Sequence, residues 1–121
     1  MSESLGFRKP TDKEMRILDR LLQAEFSGRD EVARQLMHAT VRNGDENGSL
    51  DVLISDDPPL APVKNRIPVE AKTADVDGIN VNILLHVVDG RVNELEVYRD
   101  DSGSLRGELV PERFTVYADH G

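Results

Sequence analysis

A chain of 121 residues, 38% of them apolar before its 9 glycines are added, can bury one hydrophobic core without disulfides or a structural metal. Its 15 Lys and Arg against 23 Asp and Glu give a formal charge of −8, which repels phosphate backbones and anionic lipid heads, so no nucleic acid and no membrane is expected as a partner. Cysteine is absent, which removes disulfides and thiolate chemistry, and no run approaches the ~20 apolar residues of a bilayer span.

In chain order, Pro10 followed by Thr11-Asp-Lys-Glu14 reads as a helix start. A Thr hydroxyl and a Glu carboxylate three residues on can satisfy orphan amides as a capping box. Met15, Leu18, Leu21, Leu22 and Phe26 then recur at helical spacing, an apolar stripe opposite Lys13, Arg16, Arg20 and Gln23. Ser27-Gly28 breaks the run, Asp30 is the expected cap of a shorter second helix, and Val32 and Leu36 are its apolar side. After Ala39 the period changes to two. Val41, a turn over 43–48 and the alternating Leu50, Val52 and Ile54 predict a β-hairpin. Residues 56–66, DDPPLAPVKNR, hold prolines that cannot donate in a ladder and predict a long loop, Asp56 to Arg66, that is either mobile or functional.

Ile67, Val69 and Ala71 predict a third strand, and Asp75-Val-Asp-Gly78 a turn. Residues 79–99, INVNILLHVVDGRVNELEVYR, are two β-rich runs meeting at Asp89-Gly90, the central hairpin. FTVYA, 114–118, predicts a terminal strand. Helices followed by strands specify an α+β fold: two N-terminal helices packed on one face of a mainly antiparallel sheet of about four to five strands. The amino-terminal MSESLGFRKP lacks the layout of a signal peptide. The expectation is therefore a single cytoplasmic domain over 1–121 with an ordered core over about 7–118.

The register of the central hairpin follows from its apolar pattern. A two-residue Asp89-Gly90 turn would set Ile83 against Glu96 and Leu85 against Glu94, mixing carboxylates with aliphatics, and the apolar pattern argues against it. A three-residue connection, Val88-Asp89-Gly90, instead puts Val81, Ile83, Leu85 and Val87 on one face with Leu95 and Val97. The opposite face then carries Asn82, Leu84, His86, Val92, Glu94, Glu96 and Tyr98.

That polar face holds the candidate site. His86 lies within cross-strand reach of Glu94, with Glu96 and Tyr98 farther along, and an imidazole oriented by a carboxylate has the residue types for general acid/base catalysis. Cross-strand polar pairs are also ordinary sheet stabilisers, and no nucleophile accompanies this one. Asn43-x-Asp45-x-Asn47-Gly48 has the alternating oxygens of a calcium loop. Position twelve, however, is Ile54 where a bidentate Glu belongs, so it reads as a hairpin turn, and Asp75-Val-Asp77-Gly78 reads the same way. His38, His86 and His120 show no metal-ligand spacing, and neither a phosphate-binding loop nor a serine-nucleophile elbow occurs, so no cofactor and no metal is expected.

Gly48-Ser-Leu50, Val69-Glu70-Ala71, Asp75-x-Asp77-Gly78, LLHVVDG and ELEVYRDD together resemble small bacterial proteins grouped as domains of unknown function, over roughly residues 7 to 105. Arg8, the Thr11 helix and Gln35-Leu36 fall in place with them. The resemblance implies a compact α+β domain and brings no catalytic residue with it. From charge and motif content, the leading expectation is a non-catalytic accessory or inhibitor-like domain. It would bind a protein partner, or a second copy as a homodimer, through Asn82, His86, Glu94, Glu96 and Tyr98. The alternative is a small acid/base enzyme or small-molecule binder using His86 and Glu94, favoured by a pocket over that face closed by the 56–66 loop.

Overall fold

The computed structural model describes residues 6–118. Residues 1–5 and 119–121, which include His120 and the first half of the MSESLGFRKP stretch, lie outside the described residues. Two helices, α1 (Asp12–Leu21) and α2 (Arg29–Leu36), precede strands β1 (Thr40–Asn43), β2 (Leu50–Leu53), β3 (Val69–Ala74), β4 (Asn80–Val88), β5 (Arg91–Arg99) and β6 (Thr115–Ala118). The strands form one antiparallel six-stranded sheet in the order β1-β2-β5-β4-β3-β6, and both helices contact it, giving the α+β class expected.

The capping box is formed. Thr11 Oγ1 accepts from the Glu14 amide at 3.1 Å and Glu14 Oε1 from the Thr11 amide at 2.9 Å. Arg8 grips the same carboxylate through both terminal nitrogens, at 2.8 and 2.9 Å, while its backbone bridges Val41 of β1. One arginine thus ties the helix start to the sheet edge, and its hydrogen bond holds the Glu14 carboxyl below the usual range.

α1 stops at Leu21, short of Phe26, because the Leu22 carbonyl is taken by the Arg29 guanidinium rather than by a further turn; Phe26 packs half-buried against the core from outside the helix. The second helix is capped by Gly28, not Asp30. Gly28 has φ +90 and a virtual Cβ only 3.0 Å from Val63, so the chain needs glycine there, and Asp30 falls inside the first turn where the helix dipole favours its charge.

The core lies between the helices and one sheet face: Ile17, Leu18, Leu21, Val32 and Leu36 meet Val41, Leu50, Ile83, Leu85, Leu95 and Val97. This is the face the apolar pattern selected, but the turn that sets it differs. Val88 pairs Arg91 across a two-residue Asp89-Gly90 turn with φ +52 and +79, the doubly left-handed geometry whose twist suits a hairpin. The extra residue sits two places farther on. His86 pairs Glu94 while Val87 pairs Val92, so Asn93 is a bulge that slips the register by one. Leu85 therefore faces Leu95 as the pattern required, and Val92, expected on the polar face, joins the core opposite Val87.

Buried polar groups close the remaining gaps. Gln35 of α2, 1% exposed, donates to the carbonyls of Pro59 and Gly90 and accepts from the Val92 amide. It fastens helix, 56–66 loop and hairpin tip at one point, and the loop runs from there around the tip. The Ser49 hydroxyl both donates to the Val97 carbonyl and accepts from its amide, standing in for a strand partner where β2 begins.

Candidate functional site

Both helices lie on the core face, and the other face of the sheet carries no helix among the described residues; the 56–66 loop reaches it through Arg66 and through Asp56, which pairs with Arg91 at 3.2 Å. Strand pairing brings Asn82, His86, Glu94, Glu96 and Tyr98 together there, in company with Arg42, Asp51, Leu84, Glu70, Lys72 and Tyr117. The five differ in how they stand. Asn82 is 3% exposed and internally engaged: its Oδ1 accepts from Lys72 Nζ at 3.0 Å and its Nδ2 donates to Asp100 at 2.7 Å. Tyr98 is 41% exposed, and Tyr117 on the outer strand 48%.

His86 is the centre of the face. Glu94 is its backbone-opposite neighbour, as expected, but the carboxylate that holds the ring is Glu96, one diagonal step along, with Oε1 2.8 Å from Nε2. The other ring nitrogen, Nδ1, accepts from Arg66 Nε at 2.9 Å. Because a guanidinium is only a donor, that contact fixes the neutral ring with its proton on Nε2, donated to Glu96. Arg66 is the member that the sequence reading missed. It lies twenty residues away at the end of a proline-rich loop, and nothing in its spacing to His86 marks it.

Chemically, both ring nitrogens are occupied, whereas a general acid or base needs one within hydrogen-bond reach of a substrate. A hollow of about 380 Å³ does open at the hairpin tip. Its lining comes from Val63, Lys64 and Arg66 of the loop and from Val87 and Asp89, without His86 or Glu94. The loop packs against the tip, its Ala61 amide bonded to the Gly90 carbonyl at 2.8 Å, instead of covering the face.

A second charged cluster, also missed, sits on the core side at the far end of the same hairpin. Arg99 follows Leu95 and Val97 on the core face and is 3% exposed, so its guanidinium must be met by carboxylates. It is held by Asp75 at 2.9 Å, Asp77 at 3.0 Å and Asp101 at 2.6 Å. Asp75 also accepts the amides of Arg106, Val76 and Gly107. The Arg106 amide above all, with the other amides and Arg99 added, outweighs burial and holds the Asp75 carboxyl down to about 2. Asp77 is pushed up by burial yet held low on balance by the Ile79 amide and Arg99. Asp101 is held low chiefly by its bond to Arg99, which is itself raised by the same bond. The oxygens of the 43–48 turn serve protein groups as well: Asp45 accepts the Asn47 and Ser49 amides, and Asn47 the Leu105 amide. Among the described residues no group of three or more His, Cys, Asp or Glu is placed to hold a metal ion, and no helix is long and apolar enough to cross a membrane.

Fold and face together define an α+β domain with a one-sided helical layer and an uncovered, mixed-charge sheet face. A family model described as Domain of unknown function (DUF6984) matches residues 7–108, and the chain belongs to that family. Comparison with curated proteins and with solved structures finds no match. The residues that carried the resemblance hold structural posts: Gly48 at φ +94, Ser49 on Val97, Leu50 in the core, and Asp75, Asp77, Arg99 and Asp101 in one ion cluster.

Proposed function

We propose that the chain is a non-catalytic, cytoplasmic binding domain that docks a basic protein partner on its uncovered sheet face, through His86, Glu94, Glu96 and Tyr98 with Asn82 bracing them from below. The observation that carries this reading is the sheet itself. Six strands present a broad surface with no helix over it among the described residues, on which exposed tyrosines stand among carboxylates. Asp51, Asp56, Glu70, Glu94, Glu96 and Asp100 outnumber Arg42, Arg66, Lys72 and Arg91 on that side, in a chain of net charge −8, so a partner with Lys or Arg around an apolar or aromatic anchor is the complementary surface. The occupied ring nitrogens of His86 weigh against the acid/base alternative.

The test compares two double variants in lysate of the native host, read by quantitative mass spectrometry. Glu94→Lys with Glu96→Lys reverses charge on the face; Glu25→Lys with Glu112→Lys makes the same change on exposed positions elsewhere. A basic protein retained by the wild type and by the second variant, and lost from the first, is the expected result. Equal retention by both would remove the face from the function, and light scattering that shows a dimer in the wild type and a monomer in the first variant would make the occupant a second copy.

A further inference from the structure

We propose that His86 makes the uncovered face responsive to pH: protonation of its ring expels the Arg66 side chain and loosens the strap that runs from Ala61 to Arg66. As regulation of partner binding this rests on the docking reading above, while the device itself is a property of the free chain.

Arg66 Nε donates to Nδ1 at 2.9 Å, so Nδ1 must present a lone pair, and Nε2 carries the single ring proton toward Glu96 Oε1 at 2.8 Å. A second proton can enter only at Nδ1. Once there, it sets an N–H against an N–H and a cation against a cation, and the contact with Arg66 is lost. On the other side the Nε2 bond becomes charge-assisted and strengthens, so the ring stays with Glu96 and Arg66 is the group that leaves.

The charged groups around the ring come from several elements. From β5 come Glu96 and Glu94, from β2 Asp51 beyond Glu94, and from β3 Glu70 beside Leu84. The cations on the same side are Arg66 and its neighbour Lys64 on the strap, Lys72 of β3, Arg42 of β1 paired with Asp51, and Arg91 of β5 paired with Asp56. Histidine is the side chain whose charge ordinarily changes between pH 5 and 8.

The strap is built to respond. At one end the Ala61 amide holds the Gly90 carbonyl, and at the other the Arg66 carbonyl accepts the Val87 amide at 2.7 Å. The His86 contact is the side-chain tie next to that second anchor. Releasing it leaves Val87 N–H with a partner whose position is no longer fixed, and adds one positive charge to a face that selects a basic partner.

The experiment is NMR of the 15N-labelled full chain, without any partner, between pH 8 and pH 5. Ring spectra at pH 8 should show His86 as the Nε2–H tautomer. As His86 protonates, the Val87 protection factor should fall by up to about tenfold, the worth of one net hydrogen bond, together with shifts at the Arg66 side chain. His86→Gln should abolish the response and His38→Gln should leave it intact. Should His86→Gln not fold, Arg66→Gln serves, with a ring that still protonates and a Val87 amide that no longer follows it. An Nδ1–H tautomer at pH 8, a Val87 protection factor indifferent to His86 protonation, or a response surviving in His86→Gln would overturn the device. Partner capture indifferent to Glu94 and Glu96 would instead overturn the docking reading and leave the device standing.

Discussion

The β4–β5 hairpin carries a charged cluster near each of its ends, and the two differ in which side of the sheet they occupy. The Arg99 cluster is on the helix side, with Arg99 and Asp75 almost wholly out of water and their charges answered by one another and by backbone amides. The His86 cluster is on the uncovered side, held between a loop arginine and a carboxylate that is itself more than a third exposed. The same residue types therefore do different work. Burial turns the first into a clamp that joins the 75–78 and 100–103 turns to residues 106–107, whereas in the second His86 itself is only 9% exposed and it is its partner Glu96 that opens to solvent.

The largest effect is expected from Arg99→Leu. It strands Asp75, Asp77 and Asp101 beside one another without their cation, and removing one member of a buried ion cluster costs far more than the cluster contributes net. Scanning calorimetry should show a larger fall in melting temperature for Arg99→Leu than for Asp75→Asn or His86→Gln. A variant that melts with the wild type would make the clamp as dispensable as a surface pair.

Acid should act through the clamp next. Asp75 titrates at about 2 in the folded chain, with Asp77, Asp101 and Glu14 also held below their ordinary values. Carboxyls depressed by folding stabilise the folded state above the unfolded-chain value near pH 4, and that contribution is lost as pH falls through the folded values. Melting temperature should therefore decline between about pH 4 and pH 2, and Asp75→Asn should flatten that decline. An unchanged slope in the variant would place the acid sensitivity elsewhere.

How far each cluster was legible in the sequence follows from the same contrast. Local rules carry the capping box at Thr11–Glu14, the 43–48 turn and the apolar face of the hairpin, because each depends on neighbours a few residues apart. The Asn93 bulge escapes them: any pattern that restores Leu85 to Leu95 needs one extra residue somewhere, and the pattern does not say where. Arg66 reaches His86 from a loop with no period. Arg99 did leave a signal, a cation at the third consecutive core position of β5, with acidic turns before β4 and after β5. The turns were legible as turns, and their convergence on one guanidinium becomes visible only when the register is known.

The smallest effect expected is on the uncovered side, and it is the one that separates the two clusters most cleanly. His86→Gln keeps an amide able to hydrogen-bond near Arg66 and Glu96 and removes only the ring, so it should cost on the order of 1 kcal/mol, the net worth of one hydrogen bond. Urea denaturation at pH 7.5 measures this directly. A loss as large as that of Arg99→Leu would mean that His86 braces the fold as Arg99 does. Both ends of the hairpin would then be scaffolding, and the partner would have to be sought on another surface.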